Sequence, residues 1–231
     1  MNQFTHYETL SVAGRDMRQN YQTLISCVVP RPIAFVTTLS PTGVVNLAPF
    51  SFFNGVSGHP PAVMFAPAND RHGREKDTLA NLRQIGEFVV NIVPHAIADA
   101  MNETSFTYPR DVSELVVCGF TSLSSTQVRP PRVAESPVQL ECRLMQIVDL
   151  GSGPLAGHVC IGEVLCFHIA AGFLTPDGAV DPAKLDAIAR MGGDWYATTR
   201  DRFSMPRPTG PKSSNCGGSA IESSPQVPHR P

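Results

Sequence analysis

The sequence predicts a mainly β or α+β protein built on a curled antiparallel sheet or barrel. Two long β-like runs, 138–150 and 158–170, follow one another across Gly151-Ser152-Gly153-Pro154 and suit long paired antiparallel strands. Upstream, short β-branched and aromatic runs alternate with turn residues. Helical periodicity is confined to short inserts, so strands and helices do not alternate as parallel βαβ units require.

Each element has a local reason. IAFVTTL (33–39) and VVNLAPF (44–50) flank Ser40-Pro41-Thr42-Gly43, a hairpin signal with a four-residue loop. A further apolar run, 62–66, follows the His59-Pro60-Pro61 break. In 76–86, Leu79, Leu82 and Ile85 share a helical face and Gly86 supplies the stop. Residues 88–93 then read as a strand ended by Pro94, and 95–104 as a helix. The stretch 105–137, rich in Ser, Pro and Arg, reads as a loop-rich excursion with a short helix near 112–116. Turns and a helix over 182–190 follow the long strands. The domain is therefore drawn as 1–205, and the Pro/Gly/Ser-rich 206–231 as a disordered tail.

Composition limits the function. A chain of 231 residues with 42% hydrophobic and 16% charged side chains can bury a core. The net charge of −2 gives no electrostatic case for nucleic acid or an anionic membrane. No secretory leader opens the sequence and no run of about 18 apolar residues crosses a bilayer, so a cytoplasmic protein is expected. The 6 cysteines form no CxxC pair, and their spacing fits neither a metal site nor a disulfide framework. Free thiols are the simplest reading.

Three stretches carry binding chemistry. PRPIAFVTT (30–38) leads through two prolines into a strand ending in adjacent hydroxyls, Thr37 and Thr38. NLAPFSFFN (46–54) ends a strand at a proline and then mixes small and polar groups with three phenylalanines. A flat aromatic ligand needs that combination of close backbone, apolar walls and edge hydrogen bonds; taken alone, the phenylalanines also suit an ordinary core. RHGREKDT (71–78) places Arg71, Arg74 and Lys76 with Thr78 at a helix start, where a phosphate could be cradled. Taken alone, the same residues read first as a solvated charged loop in which Asp77 or Thr78 caps the helix. No Walker loop, GxGxxG or Ser/His/Asp order is legible. Glu141 and Glu163 read as strand-face residues.

Together these stretches carry a resemblance. VPRPIAFVTT (29–38), NLAPFSFFN (46–54), KDTLANL with GEFVVN (76–91), RPPRVAESPVQLEC (129–142), GHVCIGEV (157–164) and RMGGDWYA (190–197) occur in order. The chain thereby resembles the flavin reductase-like, FMN-binding split-barrel proteins, which include the flavoredoxin-like proteins. The resemblance spans roughly residues 20–200. It implies an FMN-binding split β-barrel with inserted helices, a homodimer, and one FMN per subunit near the interface. Carried over position by position, Thr37 and Thr38 lie along the flavin, and Ala48, Pro49 and Phe50 approach the ring edge. Ser51, Phe52, Phe53 and Asn54 flank the ribityl chain and phosphate, while Lys76, Asp77 and Thr78 reach phosphate and ribityl, helped by Arg71 and Arg74. His158 has a counterpart near the flavin or nicotinamide, though a lone histidine at a strand start also suits a structural role. RMGGDWYA approaches the active site by the same analogy, or forms a turn packing the last helix.

The activity so implied is that of an NAD(P)H:FMN oxidoreductase passing hydride from NADH or NADPH to FMN, a step that needs little proton chemistry from side chains because the cofactor carries it. Such a reductase can supply reduced flavin to a monooxygenase partner. An FMN-binding electron carrier without nicotinamide turnover, and a flavin-dependent oxidase of a small molecule, are the alternatives.

Overall fold

The computed structural model describes residues 4–210. Helix α1 (Met17–Cys27) precedes β1 (Arg31–Pro32), β2 (Ala34–Leu39), β3 (Val45–Phe50), β4 (Phe53–Gly58) and β5 (Pro61–Phe65). After α2 (Asp77–Ile85) and β6 (Glu87–Ile92) come a 3-10 turn at His95–Ile97, α3 (Ala98–Glu103), α4 (Glu114–Val117), β7 (Ser122–Leu123) and β8 (Arg132–Val133). The long strands β9 (Val138–Asp149) and β10 (His158–Ile169) lead to α5 (Pro182–Leu185), β11 (Ile188–Arg190) and β12 (Tyr196–Thr198).

Seven strands form one sheet in the order β3-β2-β6-β9-β10-β5-β4, every neighbour antiparallel. Its two edges, β3 and β4, are consecutive in the chain with only Ser51 and Phe52 between them. A sheet whose first and last strands are joined by two residues must curl on itself, and no ladder joins β3 to β4 among the described residues. The result is a split barrel, open at residues 50–53.

The strands bury what their pattern demands. Along β10, His158, Cys160, Gly162 and Val164 are buried and alternate with more exposed neighbours, the period of a half-buried strand. Strand β2 is buried on both faces because two cores flank it. Ala34 and Val36 face the barrel interior with Phe50, Phe65, Leu79, Leu82 and Phe88. Phe35 faces a second core with Leu47, Met101, Leu115, Phe120 and Val133, edge-on to Phe120 at 5.2 Å. Inside the barrel, Phe50, Phe65 and Phe88 form a chain of ring contacts at 5.2 and 5.3 Å.

Several expectations are corrected. The sequence reading contained neither α1, whose Asp16 and Gln19 form a reciprocal capping box, nor β4. The helix over 95–104 begins as a 3-10 turn and is α-helical only from Ala98. The helix over 182–190 stops at Leu185, because Asp186 adopts φ 43° and the chain re-enters as β11. Residues 188–190 pair with β1 and β12 instead. Glu141 does lie on a face of β9, and on that face it is fully buried. It accepts hydrogen bonds from the Thr126 and Val128 N–H groups and from His168 Nε2, at 2.8, 3.2 and 2.6 Å. It thus pins the 105–137 excursion to the sheet. Burial pushes its carboxyl up, but the Thr126 and Gln127 N–H groups and His168 outweigh burial and leave it below its ordinary value.

Residues 202–210 belong to a second unit and are exposed, without helix or strand. Of the tail expected at 206–231, residues from 211 onward lie outside the described residues. The five described cysteines are free thiols, and no described helix is long and apolar enough to cross a membrane.

Gly162 gives a test of the core. A Cβ there would stand 2.4 Å from Phe88 Cζ and 2.6 Å from Cε1, and Phe88 is fully buried. Gly162→Ala is expected to lower unfolding free energy by about 1–3 kcal/mol through overpacking, measured by urea denaturation with the slope unchanged.

Candidate functional site

The split in the barrel sorts side chains by alternation. Phe50 and Phe52 face a cavity of about 1300 Å³, while Pro49 and Ser51 face a separate one of about 200 Å³. The larger cavity is bounded below by Phe50, Phe52, Ala66 and Ala68, and on one side by Arg71, His72, Arg74 and Lys76. Tyr21 and Leu24 of α1 form another wall, and Leu155 to Gly157 a third. The aromatic stretch and the cationic loop, separate in sequence, therefore share one concavity.

The cationic loop organises itself through Asp70. Its Oδ1 accepts the N–H groups of His72 and Arg74 at 2.7 and 2.9 Å, and Oδ2 accepts Arg74 Nε at 2.8 Å. Gly73, at φ 79°, makes the turn that brings Arg74 back. Arg74 is thus paired, whereas no carboxylate lies within ion-pair distance of Arg71 or Lys76 among the described residues. Lys76 is the N-cap residue of α2, and no side chain caps that helix. This corrects the capping reading of Asp77 and Thr78: Asp77 faces Arg110 at 3.6 Å, and the Thr78 hydroxyl accepts from Asn46 Nδ2 at 2.8 Å.

The remaining positions singled out in the sequence lie elsewhere. Thr37 and Thr38 are fully buried. The Thr37 hydroxyl donates to the Pro131 carbonyl at 2.5 Å, and the Thr38 hydroxyl accepts from Asn81 Nδ2 at 3.1 Å. Ala48 and Phe53 pack against the barrel core, and Asn54 is exposed on β4.

His158 is buried with both ring nitrogens engaged. Nδ1 lies 2.6 Å from Asp149 Oδ1 and Nε2 lies 2.9 Å from Asn69 Oδ1. Asn69 Nδ2 in turn donates to the Gly153 carbonyl at 3.1 Å. The imidazole therefore ties the end of β9 to Asn69, the residue that precedes Asp70, and Asn69 reaches the loop after β9, so His158 shapes the cavity wall through Asn69. Hydrogen bonds from His158 and Arg83 hold the Asp149 carboxyl below its ordinary value.

Sequence reasoning missed Arg31, Asn69, Asp149 and the α1 wall. Arg31 lies in PRPIAFVTT (30–38), where a charged residue between two prolines at the entry to a buried strand is the available signal. Nothing local marked Asn69 or Asp149, whose partners are distant in sequence.

A family model for the flavin reductase like domain matches residues 25–178. The chain belongs to the flavin reductase-like family. An uncharacterised Halalkalibacterium halodurans protein, BH2278, is 39% identical over 194 residues, covering 83% of this chain and 92% of the relative. Among solved structures, nitrilotriacetate monooxygenase component B from Bacillus cereus superposes with TM-score 0.83 at 32% identity, covering 87% of this chain and all of that one. The Pseudomonas fluorescens 2-nitrobenzoate 2-nitroreductase NbaA gives TM-score 0.80 at 30% identity, covering 90% and 100% of the two chains. The flavoredoxin of Desulfovibrio vulgaris, at 16% identity and TM-score 0.67 over 86% of this chain and 97% of its own, shares the fold.

Asp70 provides a pH test of the cationic loop. Its carboxyl is lowered from 3.8 to about 2, first by the Arg74 N–H bond; burial opposes this, and the Arg74 guanidinium and the His72 N–H add to the lowering. A depressed folded-state value means that Asp70's contribution is present above 3.8 and is lost as pH falls through about 2. Carboxyl carbon NMR should place its midpoint near 2, and Arg74→Ala should raise it only partway, since the backbone bonds remain.

Proposed function

We propose that the protein binds FMN in the larger cavity and acts as an NAD(P)H-dependent flavin reductase. The observation that carries this reading is the union of two aromatic rings, Phe50 and Phe52, with Arg71 and Lys76, cations that have no carboxylate partner among the described residues, in one cavity. A cavity of about 1300 Å³ exceeds the roughly 300–1,000 Å³ typical of small-ligand sites, leaving room for a second ring beside the flavin. The residues present therefore fit the group.

In this reading Phe50 and Phe52 exclude water from the ring face, and Arg71 and Lys76 bind the phosphate beside the uncapped start of α2. When bound, FMN supplies a two-electron acceptor that takes a hydride from NADH or NADPH. The chain's own task is then to stack and orient two rings, for which no acid–base pair is required. His158 fits this division, because its ring nitrogens are committed to Asp149 and Asn69 and its effect on the site is one of positioning. The name of the Bacillus cereus neighbour, a monooxygenase component, supports delivery of the reduced flavin to a monooxygenase.

Adding NADH or NADPH to protein and excess FMN tests the activity directly: nicotinamide absorbance should fall, and absence of any enzyme-dependent fall overturns the reductase reading. Retention of FMN without turnover would indicate an electron carrier instead. For the site, Lys76→Ala should raise the FMN dissociation constant about tenfold, the scale of one charge-assisted hydrogen bond. Riboflavin, which lacks the phosphate, should change less than about twofold on the same reasoning. Equal losses for both ligands would remove Lys76 from the phosphate site.

A further inference from the structure

The proposed flavin site uses Phe50 and Phe52 on one face of the 49–52 segment; the resemblance also sets Pro49 and Ser51 along the flavin, yet their side chains line a separate cavity on the other face. On that other face, Pro49 and Ser51 open onto a cavity of about 200 Å³, too small for the flavin ring system with its phosphate tail and below the usual range for drug-sized ligands. Ile33 and Met101 give it an apolar wall, while Ser51, Asn102, Ser105 and Arg190 give it a polar one.

Arg190 is held in a fixed plane. Its guanidinium stacks on Tyr196 at 4.7 Å from the ring centroid, NH1 donates to the Tyr196 hydroxyl at 2.9 Å, and NH2 donates to the Gly193 carbonyl at 2.9 Å. The Tyr196 hydroxyl donates onward to Asn102 Oδ1 at 3.1 Å. Its Nε has no partner and no carboxylate lies within 4.0 Å among the described residues. Behind Ser51 lies Arg31, only 4% exposed, its Nε 3.4 Å from the Ser51 hydroxyl. Its other hydrogen bonds go to the carbonyls of Ile25, Val28 and Met191, so each of its acceptors is neutral. Burial, together with the charge of Arg190, pushes the Arg31 guanidinium below its ordinary value.

One guanidinium, that of Arg190, thus lines the small cavity and a second, that of Arg31, stands behind Ser51, neither with a counter-carboxylate. Arg31 is a buried charge lacking its opposite, which is costly, and an anion set between it and the partly exposed Arg190 relieves that cost while pairing both cations. The planar fork of Arg190 matches a carboxylate, and the Ile33–Met101 wall calls for a carbon body that inorganic anions lack. The geometry points to a second small-molecule site here, one that takes a compact organic carboxylate with its charged end toward Arg190 and Ser51 and its apolar body against Ile33 and Met101. This places a use on the RMGGDWYA motif: Gly192, where a Cβ would stand 3.1 Å from Ser26 Cβ, lets the hairpin close against α1 and set Arg190 at the cavity.

Calorimetric titration of the full chain with benzoate and with benzamide, its neutral counterpart, tests the site, each with and without FMN. Benzoate should bind at least tenfold tighter than benzamide in both conditions, and Arg190→Gln should remove most of that difference. Because Arg190 also braces the hairpin, Ser105→Phe provides a second variant that fills the cavity and keeps both cations. It should abolish benzoate binding while leaving the denaturation midpoint and the FMN titration as in the wild type. Equal affinity for benzoate and benzamide, no benzoate binding to the folded wild type, or full binding in Ser105→Phe overturns the site. So does displacement of benzoate by FMN and inorganic phosphate but not by riboflavin, which would give the arginines to the cofactor's phosphate. The arm without FMN stands even if the flavin reading fails.

Discussion

The structure depends on the covalent link between the two edges of its main sheet. With β3 and β4 joined through Ser51 and Phe52 alone, seven strands cannot lie flat, and the curl gathers Phe50, Phe65 and Phe88 into one interior. Gly162 opposite Phe88 is part of the same constraint, since its missing side chain is the space the ring occupies. The split is also where backbone alternation changes from a packing rule into a sorting rule. Successive residues of 49–52 look into different cavities, so one short segment serves two environments.

Around that opening, polar groups are organised in two ways. The Asp70 loop is built from local hydrogen bonds and holds its shape with one carboxylate against neighbouring N–H groups. This leaves Arg71 and Lys76 without competing carboxylates. The walls are instead tied by long-range contacts: Arg83 to Asp149, Asp149 to His158, and His158 to Asn69. Glu141 does the same for the 105–137 excursion, and its cost of burial is offset by backbone donors and His168. A site for a large planar ligand needs this division, because rings stack only where the walls are held at fixed separation.

Much of this was legible in sequence. The long strands β9 and β10, the β2–β3 hairpin, helix α2 and β6 follow from periodicity and punctuation, which are local signals. The aromatic and cationic stretches stood out by composition, and the fold brings Phe50, Phe52, Arg71, Arg74 and Lys76 to one cavity. The reading failed where local preference competes with pairing. Residues 188–190 continue a helical pattern, yet Asp186 turns the chain and β1 supplies a strand partner. β4, with its glycines and exposed side chains, carries no hydrophobic alternation and exists because β5 is beside it.

The sequence by itself determined the class of the fold, the composition of the ligand-facing stretches and the family to which they belong, because each is written in residue types at short spacing. Tertiary structure decided which of those residues are free to act. Thr37, Thr38 and Thr78 looked like ligand hydroxyls, but their partners are buried side chains and a carbonyl up to 94 positions away. Arg190 opens a motif that the resemblance sets near the active site and Arg31 lies in the PRPIAFVTT stretch; both stand without carboxylate partners, and they are neighbours because β1 pairs with β11. Whether a polar group is satisfied depends on what the folded chain places next to it, and contacts between residues so far apart leave no mark in local sequence.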